Sequence, residues 1–238
     1  AFGDTARYRS ISAFGDTACL NRRTWTVDAK KLATEVGYTN AGTVEFLVVP
    51  ESNEYYFIEC NPRIQVEHTV TEAITGIDLV EAQFRISLGE TLRAINIDTK
   101  QEMTRPSCFA IQARIVSKGN GTLHSYKEPS GPGVRVDSAA YPGLTPPPFF
   151  DPLLAKLICS SNSKGSYASA IARTLACLEE FYIDGIPTNL SLLRTLLLSE
   201  ELNEGDARTN LIGEENGTTA DASSSAALNL FEKNSPAK

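Results

Sequence analysis

An α+β fold, opening on a strand hairpin and closing on amphipathic helices, is what this 238-residue sequence predicts. Three observations carry that expectation. Residues 42–49 and 54–61 are β-runs rich in Val, Phe, Tyr and Ile, separated by Pro50, Glu51, Ser52 and Asn53 as a hairpin loop. Tyr167, Ala170, Ile171, Thr174, Leu175, Leu178 and Tyr182 recur at helical spacing. Strands and helices otherwise follow one another without the regular βαβ alternation of a doubly wound sheet.

Taken in chain order, residues 1–27 are irregular and hold the hexamer AFGDTA twice, at 1–6 and 13–18. Two short copies are too few for a repeat architecture. Residues 28–36 read as a helix, with Asp28 at its N-cap and Gly37 just past its end. After the hairpin comes a polar-apolar segment to Thr75. Asp78 then opens a helix with Glu81 three residues on, a capping box, and Gly89 marks the stop. Beyond a boundary near 93–106, residues 107–116, 133–138 and 153–160 read as strands. Residues 166–182 form a helix, Asp184 and Gly185 turn the chain, and Thr188 caps a last helix over 190–199. From about Asn203 large apolar groups become scarce, and 214–238 reads as a disordered tail.

A net charge of -7 argues against a general nucleic-acid binder or a polybasic membrane surface. No apolar run approaches the length that crosses a bilayer, and no signal peptide is visible. Cys19, Cys60, Cys108, Cys159 and Cys177 are scattered and form no CxxC, which suits a reducing, intracellular compartment, whether cytosol, mitochondrion or plastid. Two histidines give no basis for a His-rich metal site. The chain begins with Ala1 and its one methionine is Met103, so a fragment or an aberrant start is expected.

The stretch FIECNPRIQVEHTVTE (57–72) concentrates charge beside an apolar run. If the hairpin turn centres on Ser52, Glu45 stands opposite Glu59. Alternation then places Glu45, Leu47, Phe57, Glu59 and Asn61 on one face. Val44, Phe46, Val48, Tyr56, Ile58 and Cys60 share the other, an apolar face expected to be core. Like charges opposite each other on a sheet are destabilising, so something should sit between the two carboxylates. With the Asn61 amide they are hard oxygen donors of the kind Mg²⁺ takes, and nucleotide binding is the natural companion. The other reading is that both glutamates are solvated or paired with lysines on a neighbouring element. Arg63 and Glu67, past the turn at Pro62, can hold an anion and act as a general base, or form an ordinary surface pair.

The strings NAGTVEFLV (40–48) and FIECNPRIQVEHTVTEAITGIDLVEAQ (57–83) closely resemble the biotin carboxylase component of biotin-dependent carboxylases, in the ATP-grasp superfamily. So do FAIQARI (109–115), SGPGVRVDS (130–138), FFDPLLAKLI (149–158) and IDGIPTN (183–189), and the block RIQVEHTVTE is highly specific. The resemblance implies the C-terminal half of an ATP-grasp domain over 28–105, then the biotin carboxylase C-terminal α+β domain over 106–202, with a largely disordered tail over 203–238. It implies ATP- and bicarbonate-dependent carboxylation of biotin. ATP would activate bicarbonate as carboxyphosphate, and biotin's ureido nitrogen would react once its proton is removed. Glu45 and Glu59, with Asn61 beside them, would hold Mg²⁺ (or Mn²⁺) and ATP, and Leu47 and Leu211 would line the adenine pocket. Gln65 and the Val66 backbone would seat bicarbonate, Glu67 would deprotonate it, and Arg63 would contact bicarbonate and biotin. Arg114 would stabilise the biotin enolate, and Arg135 falls where family members make a dimer contact. The implied partners are a biotin carboxyl carrier domain, since no biotin-attachment lysine motif is present, a carboxyltransferase, and a second copy of the chain in a homodimer or larger oligomer.

The sequence also departs from the family. The N-terminal domain and glycine-rich phosphate lid have no counterpart, and ACLNRRTWT (18–26) carries Thr24 and Thr26 where the family supplies His and Lys. A loop is also shortened relative to the family at VSKGNG (116–121). Weak or absent turnover by this chain alone is the consequence. The rival expectations are another ATP-grasp ligase, such as a carbamoyl-phosphate synthase, and a catalytically silent dimerisation or docking module.

Overall fold

The computed structural model describes residues 9–10, 22–49, 52, 54–97, 108–147, 149–162 and 165–205. The AFGDTA copies, Cys19, Met103, the tail from 206 and most of the boundary segment near 93–106 lie outside those residues.

Strand β1 (Arg9–Ser10) pairs antiparallel with β2 (Thr43–Val49), which pairs with β3 (Glu54–Asn61). Between β1 and β2 runs helix α1 (Arg22–Glu35), which begins six residues before the expected start. Asp28 is therefore inside the helix and not its N-cap. Its carboxylate accepts from the Tyr55 hydroxyl of β3 and pairs with Lys31 at 3.1 Å. The Tyr55 contact, then Lys31, holds the Asp28 carboxyl below its ordinary range. Gly37 does end the helix, with φ +61.

Two helices follow. α2 (His68–Thr75) was not evident in the sequence, because HTVTEAIT is rich in β-branched residues of modest helix propensity. Packing decides it: Val70 and Ile74, one turn apart, bury against Ala110 and Cys108, and Gly76 closes the helix at φ +72. α3 (Leu79–Ser87) is capped as expected, Asp78 accepting from the Glu81 N–H at 2.8 Å. The Glu81 side chain does not complete a capping box; it pairs with Arg85 at 3.4 Å.

The second half is built on the antiparallel sheet β4-β7-β6, formed by β4 (Ala110–Val116), β6 (Val134–Ser138) and β7 (Leu153–Ser160). β5 (Ser125–Lys127) pairs with β8 (Tyr182–Asp184) in a small second sheet. Three residues per strand are too few to show a period, so neither was read from the sequence. Between the sheets the Asp184–Gly185 turn needs glycine: φ is +96, and a Cβ there would collide with the Thr122 carbonyl. Helices α4 (Tyr167–Glu180), α5 (Leu190–Leu198) and α6 (Glu200–Asn203) complete the chain. Among the described residues no helix is long and apolar enough to cross a membrane.

Alternation along β4 creates two different faces. Ile111, Ala113 and Ile115 enter the main core with Leu157, Cys159, Ile171, Cys177 and Leu178. Leu157 and Leu178 are fully buried, each contributing about 1.5–3 kcal/mol relative to exposure. Burial pushes the Cys159 thiol up to about 12, as befits a packing residue. The opposite face carries Ala110, Gln112 and Arg114, and α2 lies over it. There Glu72, 8% exposed, accepts from Arg135 at 2.7 Å and from the Leu79 N–H at 2.9 Å. Arg135 also grips Asp137 through two bonds, at 2.7 and 2.9 Å, and Asp137 in turn meets Lys156 at 3.3 Å. Truncation of Glu72 to alanine leaves an arginine and a helix N–H without their partner. Urea unfolding of Glu72→Ala should show a loss of about 1–3 kcal/mol, with an unchanged slope.

Candidate active site

The hairpin places Glu45 directly opposite Glu59 and Thr43 opposite Asn61. Beyond Glu45 the register shifts: Phe46 faces Phe57, and Ile58 is the extra residue of a β-bulge. The bulge changes which side chains share the site face. Phe57, expected beside Glu59, instead joins Phe46 on the other face in an edge contact with ring centroids 6.2 Å apart. Tyr56, expected in the core, stands opposite Leu47 on the Glu45 side. A bulge leaves no mark in a run as uniformly apolar as Tyr55, Tyr56, Phe57, Ile58. The apolar face is also less buried than its composition implies. Val48 is fully enclosed, whereas Ile58 is 49% exposed and Cys60 is exposed.

Two clusters of polar groups form around this hairpin. In the first, the Asn61 amide nitrogen bridges the carboxylates, donating to Glu59 Oε1 at 2.8 Å and Glu45 Oε1 at 3.2 Å. Gln65 Nε2 donates to the same Glu45 oxygen at 2.9 Å. Gln65 Oε1 is enclosed and accepts no hydrogen bond among the described residues. Gln65 is anchored by the loop that follows Pro62, where its carbonyl meets His68 Nδ1 at 2.8 Å. A carbonyl only accepts, so that nitrogen carries the proton.

The second cluster joins the two halves of the chain. Glu67 stands at the N-terminus of α2, yet its side chain makes no capping bond. It turns instead to β4, where Oε2 accepts from the Arg114 guanidinium at 3.0 Å. Two residues on, the Thr69 hydroxyl donates to Gln112, two residues before Arg114 on the same strand face. Arg114 is directly opposite Lys156 on β7, two like charges that would repel if left alone. Each has an anion of its own, Glu67 for Arg114 and Asp137 for Lys156.

Of the residues singled out in the sequence, Glu45, Glu59, Asn61 and Gln65 thus meet in one hydrogen-bonded group, and Glu67 meets Arg114. Leu47 lies on the Glu45 face of β2, and Val66 is half-buried between Gln65 and Glu67. Arg63 is exposed, and its guanidinium donates to the carbonyl of Ile64 at 3.2 Å. Leu211 lies outside the described residues. Tyr56 and Thr69 were not anticipated. Gln112, expected with Arg114 on the polar face of the 107–116 strand, stands there two residues before it.

The donor set can be weighed for a cation. Among the described residues no group of three or more His, Cys, Asp or Glu forms a metal cage. Two carboxylates drawn together with an amide N–H already bridging them fit Mg²⁺, which takes few protein ligands and completes its shell with water and phosphate oxygens.

Comparison with known proteins agrees with this layout. Residues 13–95 match the family model "Carbamoyl-phosphate synthase L chain, ATP binding domain", and residues 112–214 match "Biotin carboxylase C-terminal domain". Biotin carboxylase 1 of Bacillus subtilis is 40% identical over 192 residues, covering 77% of this chain and 41% of that protein. The biotin carboxylase domain of a single-chain bacterial carboxylase superposes with a TM-score of 0.81 at 38% identity, over 90% of this chain and 50% of that one. The biotin carboxylase domain dimer of Hydrogenobacter thermophilus 2-oxoglutarate carboxylase, solved with MgADP, ADP and bicarbonate, gives a TM-score of 0.79 at 33% identity, over 91% of this chain and 48% of that one. The chain therefore spans about half, or less, of the length of these relatives. With an ATP-grasp half leading into a C-terminal domain of this type, the chain belongs to the biotin carboxylase family.

Proposed function

We propose that this chain supplies the metal-binding and base-bearing part of a biotin carboxylase, which carboxylates biotin with ATP and bicarbonate. The observation that carries the reading is the 3.0 Å contact between Glu67 and Arg114. A carboxylate that can take a proton is held against a guanidinium that can stabilise an oxyanion, and the two arrive from different halves of the chain. A carbamoyl-phosphate synthase reading accounts for Glu45, Glu59 and Asn61 but leaves Arg114 without a task.

The residue roles in this proposal are those the family resemblance implies, and the geometry is compatible with them. Glu67, 21% exposed, is reachable by a small anion and takes the proton of bicarbonate as general base. Arg114, about half exposed, keeps N–H donors beyond the one given to Glu67, and these stabilise negative charge developing on the ureido oxygen of biotin. Arg63 is free of any carboxylate in the described structure and can turn toward bicarbonate. The Val66 backbone and Gln65, whose Oε1 accepts no hydrogen bond among the described residues, seat bicarbonate in this proposal. Glu45 and Glu59, with Asn61 beside them, would hold Mg²⁺ or Mn²⁺, which when bound neutralises the charge on the ATP phosphates. Leu47 extends the Glu45 face as an apolar contact for adenine, with Leu211 as a second.

Biotin arrives in this proposal on a separate carrier domain or chain, and a carboxyltransferase takes the carboxyl group onward. The C-terminal half is the proposed contact for a second copy, although Arg135 already engages Glu72 and Asp137 within one chain. A reducing intracellular compartment is supported by the four described cysteines, all free thiols, with Cys60 exposed.

The proposal is tested at two levels. Mn²⁺ binding, followed by the loss of free-ion paramagnetic resonance, should weaken by about tenfold or more, ~1.4 kcal/mol, in Glu45→Gln and in Glu59→Gln. Unchanged binding in both would remove the metal assignment. In a full-length enzyme carrying this segment, bicarbonate-dependent ATP hydrolysis in the presence of free biotin should fall by about 10²–10⁴-fold in Glu67→Gln. If Glu67→Gln keeps the parent rate, Glu67 is not the base.

A further inference from the structure

Asn189 breaks a local rule. It occupies the N-cap position of α5, where an asparagine side chain ordinarily accepts from the first turn of its own helix. Here that side chain makes no capping bond. The residue is 8% exposed, so its amide is spent elsewhere at some cost.

The amide is spent on β4. Nδ2 donates to the carbonyl of Arg114 at 2.9 Å, and Oδ1 accepts from the N–H of Val116 at 2.8 Å. The backbone N–H of Asn189 adds a bond to the Val116 carbonyl at 3.3 Å. β4 is an end strand of its sheet, so the N–H and C=O groups on its outer edge have no neighbouring strand to meet them. One asparagine side chain presents a donor and an acceptor at the spacing of two successive edge groups, and so stands in for a paired strand. The place matters as well. The register between β4 and β7 shifts between Ile115 and Val116, one residue past Arg114. Ladder pairing alone does not fix the backbone there, and the Asn189 amide spans the irregularity.

We propose that Asn189 is a positioning residue for Arg114. By clamping the backbone on both sides of the register shift, it aims the guanidinium at Glu67 and away from the like charge of Lys156. The inference rests on the reading of Arg114 given above for its meaning in catalysis, but the clamp itself can be tested without turnover.

Asn189→Asp is the informative variant. It keeps an acceptor for the Val116 N–H and offers α5 a good N-cap, but it sets a carboxylate oxygen against the Arg114 carbonyl. Neighbouring bonds from Lys118 N–H to the Pro187 carbonyl and between Ser117 and Thr188 hold the segment in place. In the full chain, the side-chain guanidinium resonances of Arg114 should move in Asn189→Asp toward their positions in Glu67→Gln. The resonances of Arg135, bound to Asp137 and Glu72 on another strand, should stay where they are. Arg114 signals at their parent positions would overturn the proposal, and so would equal displacement of Arg114 and Arg135, which marks a general structural role. Asn189→Ser, which cannot make both bonds, repeats the test should the aspartate variant fold poorly. In the full-length enzyme, Asn189→Asp should lower the biotin-dependent rate about tenfold and add nothing in an Arg114→Ala background, the non-additivity of residues acting as one unit. If Arg114→Ala leaves that rate intact, the reading of Arg114 fails by itself. If Arg114→Ala lowers the rate and Asn189→Asp adds its full effect to it, the positioning role fails alone.

Discussion

The placement of α2 between two arginines is the constraint on which the rest of the structure depends. Its eight residues have little intrinsic tendency to be helical, and they form a helix because Val70 and Ile74 find Ala110 beneath them. Charge then sets the helix in register. Glu67 at one end meets Arg114 of β4, and Glu72 one turn further on meets Arg135 of β6. The two arginines come from opposite outer strands of one sheet, so the helix can satisfy both only in a single orientation. Buried Glu72 contributes anchoring, because it has two donors and little water. Glu67 is the more exposed of the two and keeps an open side. One helix thereby carries a buried anchor at Glu72 and a more open ion pair at Glu67.

The sheet face beneath α2 shows how charge can be packed without a prohibitive penalty. Arg114 and Lys156 lie across from each other, an arrangement that costs energy in isolation. Glu67 and Asp137 each take one of them, and Arg135 closes the row by holding Asp137 and Glu72 together. For Asp137, burial alone would raise the carboxyl, but Arg135 and Lys156 together bring it below its ordinary range. Arg135 is itself held charged, first by Asp137 and then by Glu72. The proposed catalytic pair is thus one end of a longer row of charges, and the row ties the hairpin half of the chain to the C-terminal half.

In the hairpin the same economy appears on a smaller scale. Glu45 and Glu59 are forced together by strand register, and the Asn61 and Gln65 amides supply the positive ends that make the pair tolerable. The proposed cation would replace these neutral donors between the two carboxylates. The β-bulge at Ile58 exchanges Phe57 for Tyr56 opposite Leu47, so the aromatic ring on the carboxylate side carries a hydroxyl.

By itself the sequence determined the features that depend on neighbours along the chain or on an unbroken period. These include the Glu45–Glu59 juxtaposition, which follows from counting outward from Ser52, the Asp78 cap, the strand over 153–160 and the amphipathic helix α4, although Tyr182, expected within that helix, lies in β8. It also carried the family motif, whose residues are numerous and specific. Only the tertiary structure decided α2, the bulge, the true start of α1, the exposure of Ile58 and Cys60, and the use of Asn189 against β4. Each of these turns on a partner far along the chain: Ala110 for α2, Tyr55 for Asp28, Arg114 for Glu67 and for Asn189. Periodicity reports which face of an element is apolar, but it contains no information about what will be laid against that face. The contact of Glu67 with Arg114, 47 residues apart, is of this second kind, and it is the one that makes the two halves a single site.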